Sequence, residues 1–251
     1  MAFSENFLIR LQKAYSLVIL TGAGISAASG IPTFRGNDGL WKKFRAQDLA
    51  DPRAFAANPN LVWKWYAWRR AIVKKAQPNP AHLALRDIEP YFFEFTIITQ
   101  NVDDLHQRAG SGNIISLHGN ILENKCINCD YRGPESEISA GPEIAPNCPK
   151  CGKLIRPGVV WFGESLPITA LERAQKAAAE AEMLIAVGTS NMVEPAASLP
   201  YLAKGNGAFV MEINPEETPL ISAVDEHLPY PAEKVLPVLA KVVAKIRKRK
   251  K

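Results

Sequence analysis

Residues 17–27 read LVILTGAGISA, and this stretch decides the fold. Its first part, residues 17–21, is a continuous apolar run, which is typical of a parallel strand that is buried on both faces. Its second part, residues 22–27, fits the pattern G-x-G-x-x-G/A, in which a glycine turn places a helix N-terminus against a pyrophosphate. The stretch therefore predicts a strand, a phosphate-binding turn and the start of a helix.

The surroundings of this glycine turn differ from those of an ordinary dinucleotide fold. In that fold a second strand follows within about 30 residues and ends in an acidic residue that binds the ribose. Here the next apolar strand begins near residue 94, and a loop-like segment, PTFRG at residues 32–36, lies between them. A dinucleotide would therefore bind in a modified way, with the inserted loop near the phosphates.

Further apolar strands alternate with helical patterns along the chain. The strands are predicted at residues 95–99, 114–117, 183–187 and 208–213. The helices are predicted at residues 6–15, 61–75, 80–89, 166–182 and 233–246. This alternation predicts an α/β fold, a Rossmann-like parallel sheet flanked by helices.

Two stretches interrupt the alternation and define the expected domains. Both are expected to be insertions that pack together as a smaller domain. The predicted division is a Rossmann-like domain in three parts (residues 1–31, 77–121 and 156–244), a cofactor loop with a helical module (32–76), a zinc module (122–155) and a basic C-terminal tail (245–251).

The four cysteines of the chain form two C-x2-C pairs. Cys126 and Cys129 are separated from Cys148 and Cys151 by 18 residues. This spacing is typical of a four-thiolate zinc site, which has no open position for substrate and is therefore structural. Two disulfides or four free thiols are the alternatives, and the absence of other cysteines favours a reducing compartment.

Composition and charge exclude several protein classes. The chain has 251 residues, of which 22% are charged and 47% hydrophobic, so a disordered chain, a coiled coil and a collagen-like fibre are excluded. The net charge is +5, but residues 245–251 carry six positive charges, which leaves the rest of the chain at about −1. We interpret this basic end as a solvated, frayed terminus. A tether to nucleic acid or chromatin-bound substrates is the alternative.

No signal peptide and no apolar run of membrane-spanning length is visible in the sequence. We therefore expect a soluble, cytoplasmic protein without a membrane partner.

Several short motifs, taken together, resemble one known family. In chain order they are GAGIS (22–26), PTFRG (32–36), TQNVD (99–103), LHG (117–119), the four cysteines, VVWFGE (159–164), GTS (188–190) and IN (213–214). This ordered set resembles the sirtuin family of NAD-dependent protein-lysine deacylases over residues 8–240. Two features depart from the family pattern: Ala28 stands where many members carry an acidic residue, and the basic end is not a family motif.

The resemblance implies NAD as co-substrate, one structural zinc, and a set of NAD-binding residues. The implied cofactor-binding residues are Gly22, Ala23, Gly24, Ser26, Thr33, Phe34, Arg35, Gln100, Asn101, Val102, Asp103, Gly188, Thr189, Ser190, Asn214, Pro215, Glu216 and Ala232. Among them, Phe34 would shield the reacting sugar from water and Arg35 would order the loop. Gln100, Asn101 and Asp103 would orient the nicotinamide and its ribose, although turn and helix-cap chemistry also explains these three.

His118 is the implied catalytic base. The sequence alone favours a structural histidine at a strand end, and the resemblance reverses that interpretation. In the implied reaction the acyl oxygen attacks C1′ of the nicotinamide ribose and nicotinamide leaves. His118 then takes a proton from a ribose hydroxyl, which attacks the imidate. The products are free lysine, nicotinamide and O-acyl-ADP-ribose.

The partners implied by the resemblance are acylated lysine side chains of other proteins. The peptide is expected to add as a strand along residues 159–164, with Val160, Trp161, Phe162 and Gly163 as substrate-binding residues. A plain core strand is the alternative for residues 160–162.

The helix predicted at residues 61–75 carries a possible acyl-specificity pair. Tyr66 and Arg69 are three residues apart, so they share one helical face. An arginine beside a phenol hydroxyl can bind a carboxylate. This Tyr-x-x-Arg pattern resembles the sirtuin class that removes succinyl and malonyl groups. The alternative is an amphipathic helix whose aromatic residues pack the small domain.

Two other functions remain open from the sequence. A mono-ADP-ribosyltransferase would share the use of NAD and the loss of nicotinamide. A zinc-ribbon nucleic-acid-binding protein would use the basic tail, but it leaves the glycine turn and the His118 motif unexplained.

Overall fold

The computed structural model describes residues 2–34, 45–138 and 141–249, without the side chains of residues 46 and 47. The helices are α1 (Glu5–Lys13), α2 (Gly24–Ala27), α3 (Ala46–Leu49), α4 (Pro52–Ala57), α5 (Pro59–Lys75), α6 (Pro80–Ile88), α7 (Leu105–Ala109), α8 (Ile168–Ala179), α9 (Leu199–Gly205) and α10 (Ala232–Ile246). The strands are β1 (Ser16–Thr21), β2 (Glu94–Thr99), β3 (Ile114–Ser116), β4 (Gly119–Cys126), β5 (Arg132–Pro134), β6 (Ile155–Val159), β7 (Met183–Val187), β8 (Phe209–Ile213) and β9 (Glu226–Leu228).

Six strands form one parallel sheet in the order β3-β2-β1-β7-β8-β9. The predicted Rossmann-like sheet is therefore confirmed, with β1 at its centre. Leu17 of β1 pairs with Phe95 of β2 on one side and with Met183 of β7 on the other. The carboxyl ends of all six strands consequently lie at one edge of the sheet, where α/β folds place their ligands.

Two apolar layers cover the two faces of this sheet. Helices α1, α6 and α10 supply one layer, to which Phe7, Leu85 and Leu236 belong. Helices α8 and α9 supply the other, with Ala178 and Ala203 in its core. Because each strand buries residues on both faces, its apolar run is continuous in the sequence.

The sequence did not predict β9 or the small antiparallel sheet β5-β4-β6. The strand β9 has three residues, which is too short for a recognisable pattern. The strand β4 reads GNILENKC, where polar residues outnumber apolar ones. The strands β9 and β4 each form because a neighbouring strand offers a free edge for pairing. This is a tertiary effect that the local sequence does not show.

A third apolar cluster joins the two predicted insertions. It contains Trp63 and Val73 of α5 together with Cys126 of β4 and Ile155 of β6. Arg70 strengthens the junction, because its buried guanidinium donates hydrogen bonds to backbone carbonyls of β4. The helical and cysteine-containing insertions thus share a core, while the proposed division of the chain into numbered segments remains a prediction.

The basic end (residues 245–251) was interpreted as a frayed terminus. This interpretation was wrong for Arg247 and Arg249, which are bonded to the folded chain. Arg247 donates to the backbone oxygen of Leu11 (2.6 Å) and to that of Tyr91 (2.9 Å). Arg249 donates to the hydroxyl of Tyr91 at 3.3 Å. The carbonyls near the end of α1 lack partners within that helix, and a cationic donor satisfies them. Residues 250–251 lie outside the described part of the chain.

Within the ranges that the structure describes, no helix is long and apolar enough to cross a membrane.

Candidate active site

The loops that follow the sheet strands surround a cavity of about 760 Å³. Most of the site residues predicted from the sequence line it. They are Gly22, Ala23, Gly24, Thr33, Phe34, Tyr66, Arg69, Gln100, Asn101, Val102, His118, Val160, Trp161, Phe162, Gly163, Gly188, Thr189, Ser190, Asn214, Pro215, Glu216 and Ala232. Segments distant in the sequence therefore meet in one cavity.

Two predicted cofactor residues lie behind the cavity wall. Ser26 donates from its hydroxyl to Asp103 Oδ2 at 3.0 Å, and Asn101 Nδ2 donates to the Ser26 hydroxyl at 3.2 Å. The second Asp103 oxygen accepts from the backbone N–H of Leu105. Ser26 and Asp103 thus orient the Asn101 carboxamide from the protein side. Arg35 lies outside the described residues.

Two further segments line the cavity although no sequence motif predicted them, residues 192–194 and 217–219. They directly continue the predicted segments that follow β7 and β8. Asn191, which precedes the first, adopts a left-handed backbone conformation with φ 50°. Such a residue marks a turn, but nothing in its sequence context announced a cavity.

The predicted glycine turn brings the loops after β1 and β7 into contact. Gly24 donates its backbone N–H to the oxygen of Gly188 at 2.8 Å. A Cβ atom on Gly24 would lie 2.7 Å from the Cα of Gly188, which itself has φ +57°. Only glycine fits both positions, so the two loops form a shared wall of backbone groups.

His118 follows β3 and faces the cavity. Its Nδ1 lies 2.8 Å from the backbone oxygen of Gln100. Because a carbonyl only accepts, Nδ1 carries the hydrogen, and Nε2 of the neutral ring keeps its lone pair. Burial lowers the pKa of His118 below its ordinary value of 6.5. The ring is therefore neutral near pH 7 and able to accept a proton.

Side-chain amides connect the strand ends beside His118. Gln100 Nε2 donates to the hydroxyl of Thr189 at 2.8 Å. Asn214 Nδ2 donates to the backbone oxygen of Thr189 at 2.9 Å. The loops after β2, β7 and β8 are thereby held together at the cavity wall.

Tyr66 and Arg69 project from α5 into the cavity on a shared face, as their spacing predicts. Their exposed fractions are only 2% and 8%. The Arg69 guanidinium lies 4.8 Å from the ring centres of Phe34 and Trp65. Among the described residues no carboxylate is within ion-pair distance of Arg69, and burial lowers its pKa. A guanidinium in such a place favours an anionic ligand.

The segment at residues 160–163 follows the end of β6 and is not part of a strand, so the core-strand alternative was wrong for residues 160–162. Val160 donates its backbone N–H to the oxygen of His118, and Phe162 donates to that of Ala50, both at 2.9 Å. Because these N–H groups are already used, a peptide added along this segment would bind largely through the backbone carbonyl groups of residues 160–163.

The four cysteines lie together at the edge of the small sheet. The Sγ atoms of Cys126 and Cys151 are 3.5 Å apart, and those of Cys129 and Cys148 are 3.6 Å apart. All four sulfurs lie within 4.8 Å of one another. Disulfide bonds need about 2.0 Å, whereas four ligands on one zinc at about 2.3 Å are spaced by nearly 4 Å. The backbone N–H of Asn128 also points at Cys126 Sγ. This donor set fits zinc.

Sequence comparison relates the chain to characterised enzymes. Residues 22–195 match the profile of the Sir2 family. The chain is 55% identical to the NAD-dependent protein deacylase of Aquifex aeolicus, over 93% of this chain and 96% of that protein. It is 49% identical to NAD-dependent protein deacylase 1 of Archaeoglobus fulgidus, over 96% and 98% of the two chains.

Solved structures show the same relationship. The crystal structure of a Sir2 homolog–NAD complex superimposes with a TM-score of 0.91 at 48% identity, covering 97% of this chain and 95% of that chain. A Sir2–p53 peptide–NAD+ structure gives a TM-score of 0.85 at 33% identity, covering 97% and 98%.

Proposed function

Because the chain belongs to the Sir2 family, we propose that it is an NAD-dependent protein-lysine deacylase. It transfers the acyl group of an acylated lysine to ADP-ribose and releases nicotinamide and O-acyl-ADP-ribose. The observation that carries this proposal is the neutral His118 beside the glycine turn in one cavity. A base with a free Nε2 lone pair is what proton removal from a ribose hydroxyl requires.

The proposal gives each wall of the cavity a role. The backbone groups around Gly24 and Gly188 bind the phosphates of NAD, since they offer a surface without side chains. Gln100 and Asn101 orient the nicotinamide and its ribose. Asn214 lies on the adenosine side. The acylated lysine enters past residues 160–163.

We also propose one structural zinc per chain at the four cysteines. The cluster touches the third apolar core through Cys126 and Cys148. Zinc would therefore tie the small sheet to α5. All four ligand positions are filled by protein, so the ion supplies stability and takes no part in acyl transfer.

The acyl groups include succinyl and malonyl chains as well as acetyl. The buried Arg69, without a carboxylate partner among the described residues, supports this part of the proposal. A carboxylate at the end of the acyl chain would pair with the guanidinium and accept a hydrogen bond from the Tyr66 phenol. The carboxylate that pairs with Arg69 would then belong to the substrate.

The test is mass spectrometry of matched acetyl-lysine and succinyl-lysine peptides incubated with NAD. Wild type should yield free lysine and O-acyl-ADP-ribose from both peptides, and His118→Ala should yield neither. Tyr66→Phe and Arg69→Met should impair desuccinylation at least tenfold more than deacetylation, a difference of about 1.4 kcal/mol. Lys75→Met removes a positive charge from the same helix at an exposed site and is the matched control.

Different outcomes separate the competing functions. Transfer of labelled ADP-ribose to protein without O-acyl-ADP-ribose would assign a mono-ADP-ribosyltransferase. Deacetylation without desuccinylation would retain the deacylase and remove the role of Tyr66 and Arg69.

A further inference from the structure

The indole of Trp161 is hydrogen-bonded to the acyl-pocket tyrosine. Trp161 Nε1 donates to the Tyr66 hydroxyl oxygen at 2.9 Å, and both side chains are buried, with exposed fractions of 3% and 2%. An indole nitrogen is a donor only. The tyrosine must therefore accept this bond, and its own hydrogen points elsewhere.

The other polar group beside this phenol is also unable to accept. Arg69 lies against the Tyr66 ring, with its guanidinium carbon 5.4 Å from the ring centre. A guanidinium has five N–H donors and no acceptor. Among the described residues, none accepts a hydrogen bond from the Tyr66 hydroxyl, which takes part only as the acceptor of the indole N–H. Burial raises the pKa of Tyr66, so the phenol stays protonated and holds one hydrogen for an incoming acceptor.

Trp161 also contacts three residues other than Tyr66: Glu164, Arg156 and Phe55. Its backbone N–H donates to Glu164 Oε2 at 2.8 Å. The Arg156 guanidinium lies on its indole ring, 3.2 Å from the ring centre, and donates to Glu164 Oε2 at 3.0 Å. Phe55 packs against the indole at 5.4 Å between ring centres. These contacts restrict rotation of the indole and fix the direction of its N–H group.

We propose that Trp161 is a positioning residue that sets the preference for acyl chains ending in a carboxylate. By donating to the Tyr66 oxygen, it directs the phenol hydrogen to the place where Arg69 holds the acyl carboxylate. An acetyl group has no such acceptor and gains nothing from this arrangement. The proposal rests on the proposed succinyl and malonyl specificity and adds a third residue to it.

Trp161→Phe tests the proposal, because it keeps an aromatic ring under Arg156 and removes the N–H donor. The measured quantity is the ratio of kcat/KM for matched succinyl-lysine and acetyl-lysine peptides. We expect this ratio to fall about tenfold, mainly through a higher KM for the succinyl peptide, because the carboxylate is bound equally before and during the reaction.

Trp63→Phe is the matched control. Trp63 belongs to the same apolar core and also uses its indole N–H, which donates to the oxygen of Gly141 at 3.1 Å. It does not contact the Tyr66 hydroxyl. This variant reports what the loss of a buried indole does to the small core, and the succinyl-to-acetyl ratio should stay at the wild-type value.

A double-mutant cycle distinguishes positioning from packing. In the Tyr66→Phe background, Trp161→Phe should leave the ratio unchanged, since the phenol through which Trp161 acts is absent. An equal fall of the ratio in both backgrounds would overturn the proposal. If Trp161→Phe does not fold, 3-benzothienylalanine at position 161 keeps the fused rings and replaces the N–H by sulfur, and the same fall is expected.

The outcomes also distinguish the role of Trp161 from the succinyl and malonyl specificity on which it rests. Wild type without desuccinylation overturns both. Wild-type desuccinylation that is sensitive to Arg69→Met, with an unchanged ratio in Trp161→Phe, overturns only the role of Trp161.

Discussion

Arg69 and Arg70 are consecutive residues of α5, yet their guanidinium groups have different surroundings. Arg69 faces the cavity between aromatic rings. Arg70 is bonded entirely to the protein, to the backbone oxygen of Ile121 at 2.6 Å and to Asn124 Oδ1 at 2.7 Å. One is therefore placed to bind a ligand, and the other holds the small domain together.

The two arginines should respond differently to the same substitution. Arg70→Met leaves buried carbonyls without a donor, and we expect a loss of about 3 kcal/mol of unfolding free energy. That corresponds to a melting temperature lower by roughly 10 °C for a chain of this size. Arg69→Met removes a buried charge that donates to no carbonyl oxygen of the described residues, and it should leave the melting temperature equal or higher. Thermal melts of both variants check this, and equal losses would contradict it.

The pH dependence of catalysis should follow the neutral form of His118. Its folded pKa lies below 6.5, so the active neutral ring persists to more acidic pH than an exposed histidine would allow. We expect kcat/KM for an acetyl peptide to be level from pH 8 to about 6.5 and to fall only below that. A rate profile between pH 4.5 and 8 measures this. An inflection above 6.5 would contradict a neutral base held by burial.

A buried histidine pair should make the fold sensitive to acid. Burial lowers the pKa of His82 to about 4 and that of His106 to about 3. The unfolded chain binds these protons near pH 6.5, whereas the folded chain does not, so stability is full above 6.5 and declines as the pH falls. The slope is about 1.4 kcal/mol per pH unit for each ring.

His106→Leu should flatten that decline. Between pH 6.5 and 5, where carboxylates contribute less, the denaturation free energy of wild type should fall more steeply than that of the variant. Urea titrations at several pH values measure the difference. If the unfolding free energies of wild type and His106→Leu fall with the same slope, the pKa of His106 is not lowered in the folded protein.

The zinc site should affect catalysis only through the stability of the fold. We expect one zinc per chain by elemental analysis, and Cys129→Ser should lower both the metal content and the melting temperature. Because Cys126 and Cys148 belong to the third core, loss of the metal should loosen the helix that carries Tyr66. Activity should return when zinc is restored to chelated wild type. Full activity in metal-free protein would contradict a structural role.

Arg247 should contribute to stability although it lies in the basic end. Arg247→Met removes the donors to Leu11 and Tyr91 and should cost about 1–3 kcal/mol. Removing residues 250–251 is the matched control and should leave the melting temperature unchanged. If both variants melt as wild type, the contacts of Arg247 add nothing. With Arg247 and Arg249 engaged in the fold, fewer charges remain for nucleic acid.

The sheet was predictable because its strands are buried on both faces and therefore read as unbroken apolar runs. The start of the helix predicted at residues 80–89 is confirmed, since Asn79 caps α6 and Pro80 is its first residue. The strand β9 was not predictable, because three residues carry no periodicity. Short strands of this kind form only when a neighbour offers its edge.

In the candidate site, a local sequence pattern marks the glycine turn, whereas His118 was expected only through the family resemblance; both line the cavity. The roles of Ser26 and Asp103 were less accessible, because only the folded chain shows that they lie behind Asn101. The hydrogen bond between Trp161 and Tyr66 joins the helical insertion to a segment that lies 95 residues further along the chain. No spacing in the sequence expresses such a contact.

The contact between Gly24 and Gly188 also constrains the order in which the molecule can be made. One side of the cavity is synthesised early and the other only after β7 has emerged, so a nascent chain that ends before β7 lacks one side of this cavity wall. Pairings between such distant segments pay their loop-closure entropy before they gain contacts, and they form late. The wall that Gly24 and Gly188 share can therefore form only after about three quarters of the polypeptide has been synthesised.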